Sequence, residues 1–156
     1  MSKGQEIADR FEEINKEFIS VVEGLPEDRW RSKAHDEDRP INVIAYHVAS
    51  SHSQIAGMVK TIAEGGQLPP VTWEMIDQGN AAQAEQIAGA QKVETLDLLR
   101  TGGQEAVAVL RSLSDEQLAK TGSTPAFGEQ PWTAEQIAER VLLGHPQTHL
   151  ASIKGS

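Results

Sequence analysis

The chain has 156 residues, of which 38% are hydrophobic, and we predict that residues 1–156 form a single domain around one core. It contains no cysteine, which excludes disulfides, thiolate metal ligands and a cysteine nucleophile. Its 23 acidic and 14 basic residues give a net charge of -9 without a basic stripe, so we expect no nucleic-acid partner. No apolar run approaches about 18 residues and no signal peptide is evident, which predicts a cytoplasmic protein with no membrane partner.

Four long segments repeat apolar residues at steps of three and four, the pattern of helices that bury one face. They cover residues 5–23, about 41–64, about 93–113 and 133–153. Gly24 is predicted to cap the first helix, and Thr133 with Gln136 to form a capping box for the last. Gly102 and Gly103 weaken the third, which indicates either a kink or a close helix contact.

A shorter helix is predicted in the crossover between the second and third long helices. Thr72 can cap a helix that begins at Trp73, and the Ala- and Gln-rich run 80–91 also favours helix without offering large side chains to a core. No segment alternates apolar and polar residues over the length of a strand. We therefore predict an all-α fold, a four-helix bundle with a short extra helix across one mouth of the bundle.

Two histidines of the last helix, His145 and His149, stand four residues apart. In a helix this spacing places both side chains on one face, one turn apart, so they can share a metal ion. A third ligand must come from His35, His47 or His52. His35 lies in the charged loop 35–39, which is typical of a solvated residue, whereas His47 and His52 flank the apolar stripe of the second helix about 140° apart. Periodicity alone does not choose between these two.

Three short motifs carry a family resemblance. They are IAYHVA at residues 44–49, IDQGN at 76–80, and a segment that leads from WT at 132 to HPQTHL at 145–150. In this order and spacing they resemble the DinB-like superfamily of four-helix-bundle metalloenzymes, over nearly the whole chain. In that family a divalent metal is held by one histidine of the second helix and a His-x-x-x-His pair of the fourth. The resemblance thus implies three metal ligands, His47, His145 and His149.

Three neutral imidazoles suit a divalent ion, zinc first, with nickel or Fe(II) as alternatives, and they leave an open coordination position. The resemblance implies a small-molecule substrate and either transfer of a low-molecular-weight thiol to an electrophile or metal-assisted hydrolysis. No dedicated general base accompanies the histidines, which favours thiol activation over hydrolysis, and no catalytic residue is assigned. A non-enzymatic bundle that binds a metal, a ligand or another protein is the alternative, and a homodimer is a candidate assembly.

Three further features of the sequence bear on the site. Asp77 and Asn80 match the family pattern, but a helix cap or a hydrogen bond within the loop is the favoured role, ahead of a substrate contact. Among the tryptophans, only Trp73 is a candidate to face a substrate. Pro146 lies between the paired histidines, so we expect a bend that Gly144 helps to absorb while both rings still point inward.

Overall fold

The computed structural model describes residues 1–155 and confirms an all-α four-helix bundle. The long helices are α1 (Lys3–Gly24), α3 (Ile41–Ala63), α5 (Lys92–Ser112) and a continuous last helix that comprises α7 (Ala134–Ile137), a π-helical segment (Ala138–Leu143) and α8 (Gly144–Lys154). The shorter elements are α2 (Glu27–Trp30), α4 (Trp73–Gln86), α6 (Asp115–Leu118), a 3-10 turn (Pro125–Phe127) and the strands β1 (Thr121–Gly122) and β2 (Trp132–Thr133). None of the described helices is both long enough and apolar enough to cross a membrane.

Contacts along α3 and α5 show that these two helices run parallel. The Asn42 amide, at the start of α3, donates to the carbonyl of Ala90 just before α5, and further along both helices Gly102 lies against the carbonyl of Ala49. Parallel neighbours must be joined by a connection about as long as the helices themselves. Residues 64–91, which include α4, form that connection, and this requirement explains the length of the segment.

The last helix runs parallel to α1 and antiparallel to α3. Three ion pairs join α1 to the last helix in ascending order, Lys3 with Glu135, Arg10 with Glu139 and Glu17 with Lys154. The β1–β2 hairpin, which precedes the last helix, lies against the end of α3, because Gly122 packs on Ile62. The start of α3 therefore meets the end of the last helix.

Apolar packing stabilises the end of the bundle where α3 begins and the last helix ends. A buried cluster joins α1, α2, α3, α5 and α8, and its members include Phe18, Trp30, Ile41, Ile44, Val48, Leu99, Leu150 and Ile153. Each fully buried side chain of this size contributes about 1.5–3 kcal/mol of hydrophobic free energy. The cluster fixes the rotation of α3 and α8, and with it the direction in which their histidines point.

The glycine pair of α5 allows close helix contact. A Cβ at Gly103 would collide with the amide of Asn15, and a Cβ at Gly102 would lie only 3.3 Å from the Ala49 carbonyl. Asn15 is itself buried and donates to the Leu99 carbonyl at 3.0 Å. Of the two explanations offered for this pair, a close contact between α5 and its neighbours is the one observed.

Two predictions of local structure were wrong, and one short element was not predicted. Gly24 is the last residue of α1, and the cap is Leu25, whose backbone amide donates to the Val22 carbonyl. Helix α4 ends at Gln86 instead of continuing to residue 91, because the chain turns and the Ala90 amide donates to the carbonyl of Ile87. The hairpin was missed because strands of two residues are too short to alternate.

Candidate metal centre

Three histidine rings converge where the start of α3 meets the end of the last helix. The ring centroids of His47, His145 and His149 are 4.6–5.7 Å apart and the ring planes are nearly perpendicular, at 78–89°. One ring nitrogen from each of the three residues lies within 4.8 Å of the other two. We call these residues the histidine triad. Their convergence matches the geometry expected for the predicted ligands, and their role in binding a metal stays a prediction.

A chain of hydrogen bonds from α3 and α4 sets the orientation of His47. The Ser50 hydroxyl donates to the His47 carbonyl at 3.0 Å, so it accepts from the Gln83 amide nitrogen at 2.9 Å. This leaves the Gln83 amide oxygen to accept from His47 Nδ1, also at 2.9 Å. With its proton on Nδ1, His47 presents an unprotonated Nε2 to the centre of the triad.

A carboxylate from the loop before α3 orients His149. His149 Nδ1 donates to Glu37 Oε2 at 3.0 Å, and the other oxygen of Glu37 accepts from Arg39 Nη2 at 2.6 Å. Burial raises the pKa of Glu37, but hydrogen bonds from Arg39 and His149 outweigh it and bring that pKa below its usual value. Glu37 is therefore ionised at neutral pH, and the Nε2 atom of His149 makes no hydrogen bond among the described residues.

His145 completes the triad from the most enclosed position. Its Nε2 atom lies 3.1 Å from Nε2 of His47, which has no proton to donate, so His145 carries the shared proton. Its buried Nδ1 then lacks a partner among the described residues. Burial first, and then the proximity of His149 and His47, lower the pKa of His145 to about 3. Burial also lowers the pKa of His47, so both rings are neutral at pH 7.

The last helix carries Pro146 without a break. A π-helical segment, Ala138–Leu143, directly precedes α8, and helix α8 then continues through Pro146 to Lys154. A proline cannot donate to the carbonyl four residues earlier and its ring crowds that carbonyl, so a wider preceding turn relieves the conflict. Both rings of α8 remain in the triad, and the bend expected at Pro146 stays a prediction.

The remaining histidines lie outside the triad. His52 is buried, with Nε2 2.9 Å from the Asn15 amide oxygen and its ring edge-on to Phe11. Burial lowers the pKa of His52 to about 4. His35 is exposed in the loop, as expected of a solvated residue.

The crossover residues do not have the structural roles favoured from sequence. Within residues 1–155 no hydrogen bond holds the side chain of Asp77 or Asn80, so neither acts as a cap or fixes a loop. Both line an open cavity together with Arg39. Trp73 is 65% exposed at the start of α4 and does not line this cavity.

Glu37 and Gln83 were not predicted to belong to the site. Glu37 lies in a loop whose dense charge indicated solvation, and Gln83 lies in a run of Ala and Gln without a repeating pattern. One signal was available for each. Metal-binding histidines usually donate their second ring N–H to an oxygen acceptor, and both residues lie in segments that border the ends of the histidine-bearing helices.

A sequence profile of the DinB superfamily matches residues 10–153. The chain belongs to the DinB superfamily. The family resemblance inferred from the three motifs is therefore confirmed. Among solved structures, the chain is similar to YfiT from Bacillus subtilis, described as a probable metal-dependent hydrolase with an unusual four-helix bundle topology. The TM-score is 0.78 at 21% identity, over 97% of this chain and 83% of YfiT, and this likeness shows a shared fold. A search of curated proteins found no match.

Proposed function

We propose that the histidine triad holds a divalent metal ion and that this member of the DinB superfamily is a metal-dependent enzyme acting on a small molecule. The observation that carries the proposal is the convergence of three ring nitrogens within 4.8 Å. In two of the rings, His47 and His149, Nδ1 is hydrogen-bonded to a protein acceptor, which leaves Nε2 as the nitrogen available to a metal. An outer hydrogen bond of this kind is characteristic of histidines that bind metals.

The donor set fits zinc first, with nickel and Fe(II) as alternatives, because neutral imidazole is a ligand of all three. Nitrogen atoms bound to one tetrahedral zinc ion are about 3.3 Å apart, since each bond is about 2.0–2.1 Å long. The separation of 3.1 Å between the Nε2 atoms of His47 and His145 is close to that value. The pKa of both rings is lowered, so they are neutral and able to bind a cation at neutral pH.

A bound divalent ion would supply Lewis acidity and an open coordination position, since the chain offers three ligands. The protein's own residues prepare that position. Gln83 and Glu37 hold two imidazoles in fixed tautomers and orientations, so no reorganisation is needed when the substrate arrives. Arg39 neutralises the carboxylate of Glu37 and keeps it in place beside His149.

Hydrolysis is the first candidate reaction, supported by the description of YfiT as a probable metal-dependent hydrolase. Transfer of a low-molecular-weight thiol to an electrophile is the second, and one observation favours it. Glu37, the carboxylate in contact with the triad, has one oxygen bound to His149 and the other to Arg39, so it is poorly placed to take a proton from water. A thiol ionises more readily than water and needs less help from a base.

Activity measurements on the zinc-loaded protein test the proposal. Ester and amide substrates are assayed for hydrolysis, and low-molecular-weight thiols are assayed with small electrophiles. We expect turnover in one of the two series, lost with a chelator and in His145→Ala, and retained in His35→Ala, whose side chain is exposed. Metal bound at the triad with no metal-dependent turnover in either series would contradict an enzymatic role and leave a metal-binding bundle.

A further inference from the structure

An open cavity of about 490 Å³ lies between the loop before α3 and helix α4. Its lining residues are Arg39, Asp77, Asn80, Ala81 and Ala84. The volume is in the range of small-molecule sites, and the two alanines leave room between the polar groups. The cavity thus has a basic wall from the loop and a second wall from α4, which carries an acid, an amide and two small side chains.

Both walls of this cavity are connected to the histidine triad. On one side Arg39 binds Glu37, which in turn accepts from His149. On the other side the cavity-lining Ala84 is adjacent in helix α4 to Gln83, which accepts from His47. The cavity is thus linked to the triad through Glu37 and Gln83, although none of its lining residues is a triad histidine.

The polar groups of the cavity have unused hydrogen-bonding capacity. Arg39 is 29% exposed, and its hydrogen bond to Glu37 uses only Nη2, which leaves the rest of a planar five-donor guanidinium for another acceptor. The Asp77 carboxylate and the Asn80 amide make no hydrogen bond within the described chain. Groups of opposite charge that share one cavity select a ligand with the complementary charges.

We propose that this cavity binds the head group of a zwitterionic amino-carboxylate, with the carboxylate on Arg39 and the ammonium on Asp77 and Asn80. A dipeptide or an amino acid derivative has this chemistry. A purely apolar or a dianionic ligand would leave Asp77 facing an unsuitable partner. The inference rests on the proposed function only in calling the bound molecule the substrate of the triad, because binding of the head group needs no metal.

A dipeptide and two blocked analogues test the proposal. Alanylalanine, its N-acetyl derivative and its C-terminal amide are titrated into ¹⁵N-labelled full-length protein, zinc-loaded and, in parallel, in chelator to separate head-group binding from chelation of zinc by the peptide. We expect the dipeptide to shift amide signals of α4 and to bind roughly tenfold more tightly than either analogue, because each analogue loses one charge-assisted contact.

Variants assign each contact to its residue. Arg39→Gln should weaken binding of the dipeptide roughly tenfold and leave binding of the amide analogue unchanged. Asp77→Asn should likewise weaken binding of the dipeptide roughly tenfold, and it should leave binding of the N-acetyl analogue unchanged. The matched controls are Arg31→Gln, which lies in the same loop outside the cavity, and Glu74→Gln on α4. Arg39→Lys retains a positive charge beside Glu37 but loses the planar fork, so it should also weaken binding of the dipeptide.

The outcomes separate this inference from the proposed function. Failure of the dipeptide to bind, equal binding of all three peptides, or equal effects of Arg39→Gln and Arg31→Gln would overturn the inference while zinc binding remains intact. Conversely, a wild-type protein that binds the dipeptide in chelator and takes up no zinc would support the cavity and contradict the metal site.

Discussion

Two substitutions of Glu37, the carboxylate that orients His149, should weaken metal binding to different degrees. Glu37 is 20% exposed and accepts from His149 Nδ1 at 3.0 Å, so its charge acts on the imidazole through partly buried surroundings. In Glu37→Gln an acceptor remains but the charge is lost. A charge-assisted hydrogen bond is worth about 1–1.5 kcal/mol more than a neutral one, so we expect roughly tenfold weaker zinc binding.

Glu37→Ala removes the acceptor as well and leaves His149 free to rotate. Substitutions of such outer partners lower metal affinity by about 10–100-fold, and we expect this variant near the upper end of that range. The affinities are measured by competition with a chromophoric zinc chelator. Glu27→Gln is the matched control, because Glu27 forms an exposed ion pair with Arg31 at 2.9 Å, close in sequence but outside the site.

The order of zinc affinities among these proteins tests the role of Glu37. Wild type and the Glu27 control should bind zinc equally, Glu37→Gln more weakly, and Glu37→Ala most weakly. An affinity of Glu37→Ala equal to that of wild type would refute the account of how His149 is held. Equal losses in the Glu27 and Glu37 variants would instead reveal an effect of net charge, since surface charges act on a cation without contact.

Three further outcomes are expected. Alanine at any triad position should abolish retention of metal through dialysis, whereas His52→Ala and His35→Ala should retain it, and loss of metal in His52→Ala alone would refute the triad. Gly103→Ala should destabilise the protein by about 1–3 kcal/mol in urea, because its Cβ meets Asn15, while Gly79→Ala, with open space around it, should be neutral or slightly stabilising. The pKa of His52 falls from 6.5 to about 4 on folding, so the folded state binds fewer protons there. The stability that this contributes is present above pH 6.5 and is lost as the pH falls towards 4; His52→Gln should flatten that part of a denaturation–pH profile, and an unchanged profile would contradict the assignment.

The four long helices were predictable because each buries one stripe along its whole length. For α3 and the last helix, the predicted limits lie within one residue of those observed. Helix caps formed by residues close in sequence were also predictable, as in the capping box of Thr133 and Gln136. Elements without a repeat were not, because two-residue strands and single-turn helices depend on contacts with distant parts of the chain.

The candidate site was predictable only in part. Spacing placed His145 and His149 on one face, but it left His47 and His52 equivalent, and the family resemblance alone favoured His47. The structure separates these two by their partners, since His52 is bound to Asn15 in the core and His47 to Gln83 at the bundle end.

The outer partners of the triad could not be derived from local pattern. Glu37 and Gln83 reach the histidines from a loop and from the crossover helix, over sequence separations of 112 and 36 residues. Which of several acidic or amide residues turns inward depends on the parallel arrangement of α3 and α5, which brings the crossover over the mouth of the bundle. That arrangement is a tertiary property, and no single segment encodes it.

Metal analysis of protein purified without an affinity tag tests the central claim most directly. After incubation with zinc and exhaustive dialysis, the wild-type chain should retain about one ion per chain, since three imidazole donors form one site. The His145→Ala variant should retain almost none, because two donors and water hold the ion too weakly. A wild-type chain that retains no zinc, nickel or iron after the same treatment, or a His145→Ala chain that retains as much as wild type, would contradict the account.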